Sequence, residues 1–275
     1  MFARILADSI NINDERLFTF YLRYPFAIHQ QVMTHRDFSR QGSSSRAMPT
    51  ATIIQDVIDD PFIPLGMAFN QRGMVPGEEL PPEVLQEAML IHSEHRAFSI
   101  LCAKRMEKLG VHKQWANGYL NFHRHIDMIV SMTRIDNFFN QRLAGDAREE
   151  IRVLAEMMKE AITKSDPTVK NDGEWHLPFI RSEEKAIWTL PQCIARSGAR
   201  CARASYNKHD SSPATLEEDI VLYQGLILKQ HMTPLEHQAS ADSSITEIDV
   251  RNCGNFFTGW RQHRKAVEQG LRLTF

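Results

Sequence analysis

Three short stretches concentrate side chains that could do chemistry. The first, THRDFSRQGSSSRAMP over residues 34–49, holds three arginines (Arg36, Arg40, Arg46), one histidine and four serines around a single aromatic, Phe38. Guanidinium groups fork onto carboxylates and phosphates, and serine hydroxyls add short-range donors. Such a density of donors suits a bound phosphate or pyrophosphate, and it equally suits a solvated loop with surface ion pairs. The second, HMTPLEHQAS (231–240), places His231, Thr233, Glu236 and His237 close together. Pro234 can open a helix with Thr233 as its N-cap and Glu236 in the first turn. A zinc reading competes there, but the spacing is not the HExxH of a helical zinc site, so no metal is expected. The third, DNFFNQRLAGDAREEIR (136–152), sets Asn137 and Arg142 either side of Phe138 and Phe139. Taken alone it reads as a helix with an aromatic core face and a surface arginine.

Positioning these stretches requires elements the sequence partly declares. RLFTFYLRYPFAIHQQVM (16–33) reads as a strand entering a short helix. The arginine-serine stretch has no hydrophobic period and reads as a loop or helix start. Residues 60–82 carry a Pro/Gly cluster and form a long irregular connection, a length that usually has a functional or covering role. A helical period runs from Pro82 to about Leu109 through Val84, Leu85, Ala88, Met89, Ile91, Ala97, Ile100 and Leu101. A second helical run starts near Val111. A third covers about Arg134 to Ile162, with AREEIRVLAEMMKEA apolar at i, i+3, i+4 and i+7. SDPTVKNDGEWHLP interrupts the pattern, and a further helix is expected near Leu216–Gln230. The pairs His92/His95 and His123/His125 lack a specified third ligand and read as surface or core-edge histidines.

Composition narrows the class. The chain has 275 residues, 43% of them apolar, 24% charged, with a net charge of −2. That supports one real core, read as a single domain over residues 1–275, and argues against a general nucleic-acid surface. No apolar run approaches the roughly 20 residues a membrane span needs. The opening MFARILADSININD has acids and no small-residue cleavage site, so a signal peptide is not expected. The four cysteines, Cys102, Cys193, Cys201 and Cys253, make no CxxC pair, which fits a cytoplasmic protein with reduced thiols. GxGxxG and Walker loops are absent.

Together the three stretches resemble the flavin-dependent thymidylate synthases. That family's RHRxxSxNExSxR signature is similar to residues 34–46, matching at His35, Arg36, Ser39, Ser44 and Arg46 and differing at Thr34, Gln41 and Gly42. HMTPLEH matches the fixed positions of H-[ST]-P-x-E-H. NFFNQR followed by AREEIRVLA is similar to NFxxLR…AQxEIRxLA, with Gln141 for leucine. ARCARASY (199–206) looks like AARVSY, and HKQWAN (112–117) and GEWHLP (173–178) resemble stretches of phage-type members. The order is permuted, since HxxPxEH usually precedes the arginine-serine signature.

The resemblance implies an α+β fold, a twisted, mainly antiparallel sheet flanked by long helices, and a circular permutation would explain the order of its segments. It implies a homotetramer that methylates C5 of a pyrimidine deoxynucleoside monophosphate, dUMP to dTMP. FAD, NADPH and 5,10-methylenetetrahydrofolate are the implied cofactors, in the cytoplasm of a bacterial or phage-infected cell, with no membrane and no nucleic-acid polymer as partner. By the same resemblance Arg142 is the catalytic residue. Gln31, Ser39, Ser44, Arg46 and Arg142 contact the nucleotide. His231, Thr233, Glu236, His35, Arg36 and Asn137 contact FAD. None of the three stretches 34–49, 136–152 and 231–240 contains a cysteine, consistent with activation by polarisation rather than by a thiol nucleophile. Gly118 stands where an arginine for the substrate phosphate is expected, and Asp146 where a flavin-side histidine is common. Arg124 or Arg40 could replace the missing clamp. These departures leave two rival readings: methylation or hydroxymethylation of dCMP, and a catalytically silent flavin- or nucleotide-binding homologue.

Overall fold

The run RLFTFYLRYP is buried on both faces over Leu17–Phe20, as a central strand must be. In the computed structural model, which describes residues 1–73, 75–205 and 214–275, it is β2 (Arg16–Pro25), third in a five-stranded sheet ordered β3-β4-β2-β1-β5. The other strands are β1 (Phe2–Asn11), β3 (Ser39–Gly42), β4 (His125–Met132) and β5 (Thr168–Lys170). All neighbours are antiparallel except β1 and β5. A second sheet has three short strands, β6 (Trp175–His176), β7 (Ala239–Ala241) and β8 (Trp260–Gln262). Helices are α1 (His29–Met33), α2 (Thr50–Asp59), α3 (Pro82–Lys108), α4 (Lys113–Ala116), α5 (Asp136–Arg142) and α6 (Glu149–Thr163). They continue with α7 (Ser182–Ile187), α8 (Leu190–Ala202), α9 (Leu216–Leu228), α10 (Val250–Cys253) and α11 (His263–Glu268). The expected α+β class with a mainly antiparallel sheet and long helices is the fold observed.

The two faces of β2 divide the molecule. Phe18, Phe20, Leu22 and Tyr24 face Met132, Val130, Met128 and Ile126 of β4 in register and pack against Ile151, Leu154, Ala155 and Met158 of α6. Those four α6 residues have the i, i+3, i+4, i+7 spacing read from the sequence. On the opposite face Leu17 joins Ala239, Ala241, Phe256 and Trp260 of the small sheet and its turns. The two sheets therefore sandwich a thin layer in which Thr19 and Ser131, cross-strand partners, are fully buried.

Several expectations change. The third helical run is two helices, because Leu143 ends α5 and Gly145 and Asp146 turn the chain before Glu149 and Glu150 open α6. The run from Val111 is one α-turn followed by a 3-10 stretch at Asn117–His123. The arginine-serine stretch is not all loop: Ser39–Gly42 pairs with Ser131–Met128 as an edge strand. Edge strands tolerate polar residues, which is why no hydrophobic alternation marks it. The connection at 60–81 is irregular as read, and it is pinned. Phe62 N–H donates to the His123 carbonyl (2.8 Å), and Leu65 N–H donates to the buried Glu150 carboxylate (3.2 Å), which also accepts from Arg148 (2.7 Å). Tyr206, the last residue of ARCARASY, lies outside the described residues. Among the described residues no helix is long and apolar enough to cross a membrane.

Candidate active site

The residues singled out in the sequence gather in two patches at opposite ends of β3. In the first, α1 and α5 face each other across a buried aromatic cluster. Phe138, 2% exposed, holds α5 to the core, which turns Arg142, one helical turn on, toward the α1 end. Arg142 Nε donates to His35 Nε2 (2.9 Å), and its Nη2 donates to Thr34 Oγ1 (3.0 Å) and the Gln31 carbonyl (3.3 Å). All three acceptors are neutral. Among the described residues no carboxylate pairs with Arg142, and its Nη1 makes no hydrogen bond. Burial first, then the Arg142 and Arg40 charges, lower the His35 pKa to about 4. His35 is therefore uncharged at neutral pH, and accepting at Nε2 assigns its proton to Nδ1. Its ring stacks on Phe38 (centroids 5.7 Å) and meets Phe138 edge-on (4.9 Å). Arg36 and Asn137 line a hollow of about 210 Å³ beside it with Thr34 and Arg134. The Gln31 Oε1 is buried without a hydrogen-bond partner among the described residues.

The second patch is a cleft of about 910 Å³ between β3 and α9. Leu222, Leu226, Met232 and Pro234 form its apolar side, and Gln41, Ser44, Lys229, His231, Thr233 and Arg264 its polar rim. Local backbone chemistry builds that rim. α9 ends in a Schellman motif: His231 N–H donates to the Leu226 carbonyl (2.9 Å) and Gln230 N–H to that of Ile227 (3.1 Å). Gln230 takes the left-handed conformation this requires (φ 57°). His231 is thereby delivered, exposed, to the cleft edge. Thr233 is not the N-cap expected of it. It begins a 3-10 turn, Thr233–Glu236, without a side-chain cap, and its hydroxyl donates to Gln41 Oε1 (2.8 Å). Leu235 seats the turn against α8, where a Cβ on Gly198 would lie 2.8 Å from Leu235 Cδ2. The Glu236 carboxylate accepts from Arg264.

Polar contacts join the patches. Ser39 is 1% exposed and accepts from Gln262 Nε2 (3.2 Å), which also donates to the Glu236 carbonyl (3.2 Å). Ser39 thus lies beneath the cleft and not on its lining. Arg40 Nη1 donates to the Met33 carbonyl (2.6 Å). Asn255 Nδ2 donates to the carbonyls of Arg36 (3.4 Å) and Phe38 (3.2 Å). The HKQWAN segment docks on the far end of the loop: Asn117 Nδ2 donates to the Ser45 carbonyl (2.7 Å), and Lys113 Nζ to that of Ala47 (2.9 Å). Arg46 is exposed, and Ser44 accepts from its backbone N–H (3.3 Å).

The departures have structural counterparts. Thr34 accepts from Arg142, where a second guanidinium would repel it. A Cβ at Gly42 would lie 2.4 Å from Met128 Sδ, so the thioether occupies the space a side chain would enter. Gly118 faces open space. Arg124 is 2% exposed, with its guanidinium carbon 5.2 Å from the Phe26 ring centroid, so it is held in the interior. Sequence reasoning missed Arg264 and Gln262, which carry no motif and enter the site only through β8 and α11. It also missed that His95 Nδ1 and His123 Nε2 come within 2.7 Å. Among the described residues no group of three or more His, Cys, Asp or Glu is placed to hold a metal ion.

A sequence model of the family described as thymidylate synthase complementing protein matches residues 14–168. The chain belongs to that family. The match contains the arginine-serine stretch and the whole α5–α6 region, and ends before the His231–Glu236 turn. No curated protein matches the chain. Among solved structures, the UMP/dUMP methylase PolB of Streptomyces cacaoi bound with 5-Br UMP is similar at 15% identity, over 59% of this chain and 88% of that one, with a TM-score of 0.47. PolB bound with 5-Br dUMP is similar at 19% identity, over 54% and 67%, with a TM-score of 0.41.

Proposed function

We propose that the chain is an FAD-dependent methyltransferase that converts dUMP to dTMP, using 5,10-methylenetetrahydrofolate as carbon donor and NADPH as reductant. Family membership supports the reaction class. The observation that carries the residue assignment is Arg142, a partly buried guanidinium oriented by three neutral acceptors, with Nη1 left to meet a ligand. A fixed cation of this kind stabilises charge that develops on a pyrimidine carbonyl, and it needs no reorganisation to do so. Thr34, His35 and the Gln31 carbonyl orient it without neutralising it.

The cleft fits a flavin nucleotide in kind. Its volume lies in the range of ligand sites, one wall is apolar enough for a ring system, and its rim carries donors. His231, Thr233 and Glu236 would contact FAD there, with His35, Arg36 and Asn137 completing its site. Gln31, Ser44, Arg46 and Arg142 would bind the nucleotide, with Ser39 supporting the strand below. When bound, the flavin supplies the redox chemistry, and the protein orients it. A homotetramer would let the two patches of different copies face one another. It would also cover the α3 face on which Leu90, Ile91, Phe98 and Leu101 are 58, 61, 61 and 49% exposed. We place the protein in the cytoplasm.

The reading is tested by titrating FAD into the purified protein and following NADPH oxidation with methylenetetrahydrofolate, with and without dUMP. Saturable FAD binding and dUMP-dependent NADPH consumption are expected. FAD binding with no consumption would replace this reading with the silent homologue.

A further inference from the structure

The register of β1 against β5 builds a polar cleft whose residues belong to neither patch. Ser9 pairs with Thr168, and Asn11 with Lys170. Alternation then places Ser9, Thr168 and Lys170 on one face of the large sheet, the face on which Ser9 meets His176 of the small sheet. At the β5 edge these three side chains line a cleft of about 390 Å³ with Trp175, Ile180 and, from α7, Lys185. Ser9 is buried and held in place: its Oγ lies 2.9 Å from His176 Nδ1, and His176 Nε2 lies 2.8 Å from Thr19 Oγ1.

The cleft holds positive charge that the chain does not compensate. Lys170 is half-buried and Lys185 is exposed, and among the described residues neither ammonium makes an ion pair or a hydrogen bond. The two lysines also work against each other. Burial first, then the Lys185 charge, lower the Lys170 pKa, and Glu174 opposes them. Behind burial, the same two charges help to lower the His176 pKa to about 3, so that imidazole is neutral. Two carboxylates line the cleft, Asp8 and Glu183. Asp8 is occupied by Arg16, whose Nε and Nη2 donate to its two oxygens at 2.9 and 2.6 Å. Glu183 is exposed and is offset in charge by Arg181, exposed on the same lining.

We propose that this cleft binds a small organic phosphate monoester, with its dianionic head between Lys170 and Lys185 and its organic body against Trp175 and Ile180. Two ammonium groups match a dianion in charge, and their hydrogen bonds to phosphate oxygens are charge-assisted. The Thr168 hydroxyl stands on the same lining as a further donor. A phosphate head fills only part of about 390 Å³, which leaves room for a body beside the half-buried Trp175. A bound dianion relieves the repulsion between the lysines and keeps Lys170 charged where burial disfavours it. No residue of this cleft lines the Arg142 hollow or the α9 cleft, so the site stands independently of the function proposed for those two.

The test is an NMR titration of the full chain at constant pH and ionic strength, with phenyl phosphate and inorganic phosphate as probes, read at the indole N–H of Trp175. Phenyl phosphate is expected to shift Trp175 saturably and to leave the exposed Trp115 indole on α4 in place. Inorganic phosphate should act at the same site more weakly. Lys170→Met and Lys185→Met keep the aliphatic stems and remove the charges, and each should weaken phenyl phosphate by on the order of tenfold. Lys164→Met, at a lysine paired with Glu160 outside the cleft, should leave the affinity unchanged. No saturable Trp175 shift in the wild type overturns the site and needs no variant to detect. Wild-type affinity in the double variant Lys170→Met/Lys185→Met overturns it as well, and equal affinity for the two probes overturns the organic body.

Discussion

The Arg142 patch and the α9 cleft solve opposite problems. The first is small and pre-arranged: Arg142 held by three neutral acceptors, Phe38 and Phe138 packed on His35, and a hollow of about 210 Å³ that Arg36 and Arg134 line. The second is wide, with an apolar wall, and its principal charges, Arg264 and Glu236, already satisfy each other. A cation without a counter-ion keeps its field for a ligand, whereas a compensated pair mainly shapes a rim. If the proposed roles hold, chemistry and capacity are separated along β3 in this chain, with Ser39 and Gln262 as the buried link. Changes at one patch should therefore move turnover, and changes at the other should move ligand affinity.

The largest expected break comes from Arg142→Ala. It should retain FAD while losing on the order of 10²–10³-fold in turnover, measured by fluorescence titration beside a rate assay. Wild-type turnover would remove Arg142 from its assigned role.

Acid should act mainly through stability. His176 and His237 have pKa values lowered to about 3, and His263 and His35 to about 4, each by burial first. The unfolded chain protonates these imidazoles near pH 6.5 and the folded chain does not. Their contribution is thus complete above about pH 6.5 and is lost as pH falls toward 4 and then 3, by up to about 1.4 kcal/mol per pH unit for each fully buried group. Urea midpoints from pH 7.5 to 4 measure this, and a flat profile would contradict the neutral-imidazole assignment.

How much of this was legible follows from what each element depends on. α3, α6, α9 and β2 carry long periodic patterns, and the sequence declared them. β1 and β4 did not stand out, because HIDMIVSM mixes charge with apolar residues, and β5 to β8 are too short to carry a period. The pairing of Arg142 with His35 links residues 107 apart, and the Thr19–His176 contact residues 157 apart, so neither could be read locally. Ser39 was grouped with substrate contacts by its motif; it shares a strand face with Gln41 but lies deeper, covered by Gln262.

A smaller sharpening uses Gly42. Gly42→Ala must displace Met128 Sδ, at a cost of about 1–3 kcal/mol in stability or cleft affinity, with the Arg142 geometry preserved. Calorimetric titration of FAD checks it, and an equal loss at both patches would deny their independence. The smallest effect is expected at Gln230→Gly, which relieves the left-handed conformation and stabilises by about 1 kcal/mol or less, read as a raised Tm with His231 still in place.

The most direct measurement is a competition. The protein is incubated with FAD, NADPH, 5,10-methylenetetrahydrofolate and equal amounts of dUMP, dCMP and UMP, and the nucleotides are read by mass spectrometry. The account predicts methylated dUMP as the principal product. Modified dCMP, a hydroxymethyl product, or unchanged nucleotides with flavin bound would contradict it.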